Sequence, residues 1–198
     1  MIKYIIFDLS EVLISGVLGV EKVLAEKIPQ SMEAISNSLY GNWFNEYMIG
    51  AITEDLYLTE IVKRHNWEID IDEIKKCIRD NFHNEVEGMQ GLLEKLSVNY
   101  KLILHSDHSK EWIDYIKSVH PFLDLFEHMV FSYELGMTKH FPSTFSKALK
   151  RLNIAADECL LIDDHQRNID AAAKVGIKGI RFENYNQLQL RLKETNII

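Results

Sequence analysis

Cysteine is scarce in this chain: two among 198 residues, Cys77 and Cys159, in unrelated contexts and forming no CxxC pair. They read as reduced core thiols, not as a disulfide framework. Long apolar runs are missing as well. None approaches the roughly 20 residues needed to span a bilayer, so no membrane partner is expected. Positive charge is not in excess: the formal net charge is −8. That gives no support to non-specific binding of nucleic acid or anionic membranes, both of which call for a basic surface. The chain does not open with a basic region followed by an apolar segment and cleavage site, and a soluble cytoplasmic protein is expected. Repeats and low-complexity segments are absent. What is present is a folding composition, 46% hydrophobic and 10% aromatic, at a length suited to one core domain plus a small insert. An acidic protein that handles anionic substrates must concentrate cations locally, through lysine or a metal.

The stretch Lys3-Tyr4-Ile5-Ile6-Phe7-Asp8-Leu9-Ser10 reads as a buried parallel strand delivering a carboxylate, Asp8, at its carboxyl end. In open α/β sheets the reactive crevice lies outside those ends. From about Ser15 to Gly88 helical periodicity replaces strand-like runs, at Val20, Val23 and Leu24, at Leu56, Leu58, Ile61 and Val62, and at Ile71, Ile74, Cys77 and Ile78. Ser31 and Thr53, each followed by acids, mark helix starts. Ser36 to Tyr47 carries Leu39, Tyr40, Trp43, Phe44 and Tyr47, an aromatic helical face read first as core packing, with some members available to line a cleft. This block is expected to be an all-helical insert of about four helices. After Gly88, strands at Tyr100–Leu104, Met129–Phe131, Cys159–Ile162 and Ile177–Phe182 alternate with helical stretches, one of them opened by Pro142. The fold class that follows is α/β, a doubly wound parallel sheet with right-handed crossovers. The expected domains are an α/β core over 1–14 and 89–198 and a helical cap over 15–88.

Three of these strands end in polar groups: Asp8, Ser106-Asp107 and Asp163-Asp164. In a parallel sheet all three endings lie on one edge. A serine hydroxyl and several carboxylates there, with Lys139 on a nearby loop, suit phosphoryl transfer assisted by a divalent cation. Carboxylates hold a hard ion such as Mg²⁺. The ion and the lysine neutralise transferring oxygens, the serine donates to phosphate, and one carboxylate can act as nucleophile.

This ordered set is similar to the motifs of the haloacid dehalogenase superfamily of phosphatases and related hydrolases. Phe7-Asp8-Leu9-Ser10-Glu11-Val12-Leu13 resembles the first motif, usually FDxDGVL, and Leu104-His105-Ser106-Asp107 the second. Gly136-Met137-Thr138-Lys139 with Pro142 and Phe145 resembles the third, and Leu161-Ile162-Asp163-Asp164 through Asn168 the fourth. The helical block resembles the type I cap. Within it, Gly50-Ala51-Ile52-Thr53-Glu54 is similar to a cap stretch of the subgroup near sugar-phosphate phosphatases and the amino-terminal phosphatase domain of epoxide hydrolases. The resemblance implies that Asp8 attacks phosphorus to form an aspartyl-phosphate that water hydrolyses. It implies Mg²⁺ held by Asp8, the Ser10 carbonyl and Asp164, with Asp163 acting through water. Ser106 and the Asp107 amide then bind phosphoryl oxygens, Lys139 offsets charge, Asn168 orients Lys139, and the substrate is a small phosphorylated metabolite.

One position departs from the family pattern. The second aspartate of the first motif, which protonates the leaving group and activates water, is Ser10 here. Serine keeps the metal-binding carbonyl but offers no carboxyl of useful pKa. The loss of a positioned acid or base typically costs about 10²–10⁴-fold in rate. Glu11, in place of the usual glycine, is expected to point elsewhere. A catalytically silent phosphate- or metabolite-binding protein is therefore one alternative. A dehalogenase is a second, disfavoured by the retained pair Asp163-Asp164. His105, His108 and His165 fall near the same edge but follow no zinc motif and read as ordinary loop histidines, with His108 placed to contact substrate. Oligomeric state is not legible.

Overall fold

The computed structural model describes residues 1–198. Strand β1 (Tyr4–Phe7) is followed by five helices, α1 (Val20–Leu24), α2 (Met32–Leu39), α3 (Asn42–Met48), α4 (Glu54–His65) and α5 (Ile71–Phe82). Helix α6 (Met89–Ser97), β2 (Lys101–Ser106), α7 (Lys110–Val119), β3 (Phe126–Phe131), α8 (Ser132–Leu135), α9 (Pro142–Leu152), β4 (Cys159–Asp163), α10 (Gln166–Ala173), β5 (Lys178–Arg181) and α11 (Tyr185–Glu194) complete the chain. All four ladders are parallel and the strand order is β3-β2-β1-β4-β5. Strand β1 is central because it is buried on both faces. Ile5 and Phe7, with Leu102, Leu104, Leu160 and Ile162, face the larger apolar cluster. Ile6, with Ile103 and Leu161, faces a smaller one formed with Phe145 and with Ala171 and Ala172. This two-sided burial is why the strand reads as an unbroken apolar run instead of an alternating one.

The order of strands reverses between β1 and β4, and Phe7 pairs with Leu104 on one side and Ile162 on the other. One residue further on, Asp8 and Asp163 therefore sit level at the same edge, fixed by the bond from Asp8 N to the Ile162 carbonyl at 2.9 Å.

The helical block is built from five helices where about four were expected. The aromatic segment breaks in two at Tyr40-Gly41, because α2 ends at Leu39 and α3 starts only at Asn42. Ser31 and Thr53 do cap their helices, accepting from Ala34 N and Leu56 N. The faces differ in detail from the expected ones. Val23 and Leu56 are exposed, whereas Tyr57, Leu58 and Ile61 carry the buried side of α4 and Phe82 adds to that of α5. The two chain crossings between sheet and block are bonded to each other, Ser15 N to Asn84 O at 2.8 Å and Val86 N to Leu13 O at 2.9 Å. Helix α8, a single turn after β3, was not foreseen.

Candidate active site

The sheet edge collects the strand-end groups around one buried ammonium. Lys139, in the loop before α9, is 1% exposed, although the sequence suggests only a loop lysine. Its Nζ lies 2.7 Å from Asp8 Oδ2 and 2.6 Å from Asp163 Oδ2. The other oxygen of Asp8 accepts from Leu9 N and from Ser106 Oγ, both at 2.7 Å. Asp163 Oδ1 accepts from His165 N and Asn168 Nδ2, both at 2.9 Å. Asn168 thus reaches Lys139 through Asp163, and it also meets His140 Nδ1 at 3.1 Å. Asp107 accepts the Lys139 backbone N–H on both oxygens, at 3.0 and 3.1 Å, and so fixes the loop that carries the lysine.

Burial disfavours the charge on Lys139, but Asp163, Asp8 and Asp107 outweigh it and hold its pKa above the ordinary lysine value. Burial raises the Asp107 carboxyl to about 6, against the pull of Lys139, and moves Asp163 in the same direction. Four acids (Asp8, Asp107, Asp163 and Asp164) with one lysine leave the edge short of positive charge. Asp163, Asp164 and His165 bring ligand atoms within 4.8 Å of one another, and Asp164 Oδ1 is engaged by His165 Nδ1 at 2.8 Å. The two aspartates of this group are hard oxygen donors in a charge-deficient site and fit a divalent cation of the Mg²⁺ type, while His165 adds an imidazole nitrogen beside them.

The position that departs from the family pattern has its own local structure. Ser10 Oγ is 2.8 Å from His108 Nε2, and Gly16 backs it so closely that a Cβ there would fall 2.8 Å from the serine side chain. Glu11 has a left-handed backbone, φ 60°, which accounts for glycine being at ease at this position. Its Oε1 accepts from Gly16 N at 2.7 Å, yet Glu11 does not point away as expected: it lines the same cleft, and burial, with Asp164 and Asp8 nearby, raises its carboxyl above the ordinary value. Of the three histidines expected in loops, His165 is one, exposed between β4 and α10, but the other two are not ordinary loop residues. His105 and His108 are buried. His105 packs on Phe145, its ring centroid 5.1 Å away, on the opposite side of the sheet. His108 sits in the cleft, where burial, reinforced by Lys139, lowers its pKa to about 3.

Above this edge the helical block closes a cleft of about 570 Å³. It is lined by Asp8, Ser10, Ser106, Asp107, Lys139, Asp164 and Asn168 together with Tyr40, Phe44, Met48, Trp112 and Arg167. Asp163 lies beneath it. Part of the aromatic stripe therefore does line the cleft, while Tyr47 is buried behind it. Sequence reasoning missed Trp112, His140 and Arg167. Of these, only Arg167, inside the fourth motif, carried a local signal. Glu54, in the cap stretch singled out above, does not line the cleft. It is buried between lobes, accepting from Arg79 at 2.8 and 2.6 Å and from Trp112 Nε1 at 2.7 Å.

A doubly wound parallel sheet with a helical insertion, its carboxylates and lysine at the switch edge, places this site where open α/β folds hold their ligands. The sequence profile of haloacid dehalogenase-like hydrolases matches residues 5–182, and the chain belongs to that family. Glyceraldehyde 3-phosphate phosphatase of Methanocaldococcus jannaschii is 25% identical over 91% of this chain and 85% of its own length. Flavin mononucleotide hydrolase 1 of Arabidopsis thaliana is 25% identical over 66% of this chain. The chain spans about half the length of that relative, 53%, and 42% of the glyceraldehyde 3-phosphate phosphatase of Pyrococcus abyssi, to which it is 33% identical. In fold it is similar to a family enzyme of Bacteroides thetaiotaomicron solved with magnesium and inorganic phosphate. The TM-score is 0.79 at 22% identity, covering 95% of this chain and 99% of that one. No helix is long and apolar enough to cross a membrane.

Proposed function

We propose that this hydrolase is a Mg²⁺-dependent phosphatase or phosphotransferase that acts on a small phosphorylated metabolite through an aspartyl-phosphate on Asp8. The observation that carries the reading is the geometry around that carboxylate. One oxygen is held by Ser106 Oγ and Leu9 N, the other by an ammonium shared with Asp163. A nucleophile fixed in this way faces a cleft with its charge already compensated. The phosphatases among the relatives, and the magnesium and phosphate bound by the Bacteroides enzyme, support it.

Asp8, the Ser10 carbonyl and Asp164 would hold the ion, with Asp163 behind them. When bound, Mg²⁺ offsets charge on the phosphoryl oxygens. Ser106 and the Asp107 amide donate to phosphate, Lys139 neutralises the charge shared between Asp8 and the incoming group, and Asn168 fixes Asp163 and through it the lysine. The core of this machine is 1–14 and 89–198, and the cap that selects the substrate is 15–88. In its cap stretch it sides with the subgroup of sugar-phosphate and epoxide-hydrolase-type phosphatases. Turnover is slowed by Ser10, which has no carboxyl to give.

The same serine motivates a second reading, a phosphate-binding protein on an enzyme scaffold. A panel of phosphate esters assayed with Mg²⁺, in wild type and Asp8→Asn, separates the two. The phosphatase reading expects phosphate release that disappears in the variant, and trifluoroberyllate seated on Asp8 in crystals soaked with Mg²⁺ and beryllium fluoride. No release from any ester and no adduct on Asp8 would leave the binding protein.

A further inference from the structure

The cleft has two unlike walls. Every residue that the helical block contributes to the lining, from Val17 and Leu18 through Tyr40 and Phe44 to Met48, is uncharged. The charge lies on the side of the sheet, with Asp8, Glu11, Asp107 and Asp164 as acids and Lys139 and Arg167 as cations. Most of these groups are already engaged. Lys139 lies between Asp8 and Asp163, and Asp107 holds the Lys139 backbone. Glu11 accepts from Gly16 N on one oxygen, and Asp164 meets His165. None of these acids pairs with Arg167.

Arg167, in the first turn of α10, differs from every other arginine of the chain. Arg64, Arg79, Arg151 and Arg191 each pair with a glutamate, and Arg181 donates to the Asp164 carbonyl at 3.2 Å. Arg167 makes no ion pair and no hydrogen bond within the protein, and it is exposed at the cleft wall. The two histidines of this wall are each committed on one ring nitrogen. His165 Nδ1 lies 2.8 Å from Asp164 Oδ1. His140 Nδ1 donates to Asn168 Oδ1 at 3.1 Å, because the amide nitrogen of Asn168 already donates to Asp163. Burial lowers the His140 pKa, and Arg167, His165 and Lys139 push it the same way against the bond to Asn168. His140 thus records a positive potential along this wall, and the guanidinium of Arg167 is its uncommitted donor. A guanidinium presents parallel N–H groups that match two oxygens of a carboxylate or a phosphate.

We propose that the substrate carries a second anionic group, a carboxylate or a second phosphate, which Arg167 binds while the phosphate to be transferred sits at Asp8. The inference rests on the phosphatase reading above and narrows it, from any small phosphorylated metabolite to one with two oxyanions on a single small skeleton. The uncharged wall of the helical block then covers the skeleton between them. Arg167 touches no reacting atom and is a specificity-determining residue. Its contact is the same before and during phosphoryl transfer, so it acts on KM and leaves the chemical step alone.

Short linear alkyl phosphates, their ω-carboxylates and the matching α,ω-bisphosphates differ only in the second group. With the full chain and Mg²⁺, the best doubly anionic ester is expected to exceed the alkyl phosphate of equal carbon count in kcat/KM by about 10–100-fold. That is the usual strength of a hydrogen bond to a charged group, and it should appear mostly in KM. Whichever series leads identifies the second anion as carboxylate or phosphate. Arg167→Gln should bring the ratio close to one, and Arg167→Lys should keep part of it. Wild-type rates within about threefold of each other at every chain length would overturn the inference. So would a ratio that Arg167→Gln leaves unchanged. If wild type turns over no ester of either kind, the same pairs are compared as Kd by calorimetry. A preference for the doubly anionic ligand that Arg167→Gln removes would then uphold the Arg167 subsite while the phosphatase reading falls. Equal or undetectable binding would overturn the subsite itself.

Discussion

Ser10 Oγ and His108 Nε2 lie 2.8 Å apart, although 98 residues separate them in the chain. The histidine is buried at the start of the segment leading into α7, and its backbone N–H is held by Ser132 Oγ at 3.0 Å. The serine hydroxyl is thus the ring's sole polar partner, since Nδ1 has none.

Removing that hydroxyl leaves both ring nitrogens of His108 without a protein partner. Ser10→Ala is therefore expected to destabilise the fold by about 1–3 kcal/mol, the cost of an unsatisfied buried polar group. Urea unfolding checks this through a lower midpoint at unchanged slope.

Lys139 is the ammonium between Asp8 and Asp163, at 2.7 and 2.6 Å. Lys139→Met keeps the length of the side chain and deletes the charge, so two neighbouring buried carboxylates lose their counter-ion. A stability loss of about 3–5 kcal/mol is expected, as for other broken buried pairs, together with loss of phosphate release. An unfolding midpoint within experimental error of wild type would contradict this electrostatic role.

The edge carries more carboxylate than ammonium, and a divalent cation should relieve the difference. Mg²⁺ at about 100 times its Kd is expected to stabilise the protein by about 2.7 kcal/mol, seen as a concentration-dependent rise in Tm. Asp164→Asn, which replaces one of the cleft-lining oxygens, should abolish most of the rise, and a chelator should remove any ester turnover. A Mg²⁺-induced rise of equal size in the variant would exclude Asp164 from the ion's coordination.

Glu54, 5% exposed, ties three helices together by accepting from Arg79 of α5 and the indole N–H of Trp112 on α7. Arg79→Met strands this carboxylate in the interior and is expected to cost about 3 kcal/mol. Arg79→Lys should recover only part of it, because a single ammonium cannot reproduce the two-pronged contact. Thermal or urea denaturation of the two variants decides the point.

The strands and the acids at their ends were legible because a strand buried on both faces writes an unbroken apolar run, and the polar residue that ends it stands out, as Asp8 and Asp163 do. The helix starts at Ser31 and Thr53 were legible for a related reason: a cap bonds within three residues of itself. What could not be read depends on partners far away in the chain. Lys139 looks like a solvated loop lysine until β1 and β4 bring two carboxylates to it. His108 needs Ser10, and Glu54 needs Trp112, 58 residues on. The break at Tyr40-Gly41 was obscured because aromatic spacing runs across it, and the exposure of Leu56 because α4 buries the face one residue over.

The larger apolar cluster runs without interruption from Phe7 and Leu104 in the sheet to Ile35, Tyr57 and Ile78 in the helical block. A shared oily interior couples the melting of the two parts. Neither can come apart without wetting the other, so heat should produce one sharp cooperative transition in calorimetry, with no separate early endotherm for the lid. Any breathing that admits a ligand must then be a tilt about the paired crossings at Leu13–Val86 and Ser15–Asn84, with the grease between the parts kept dry.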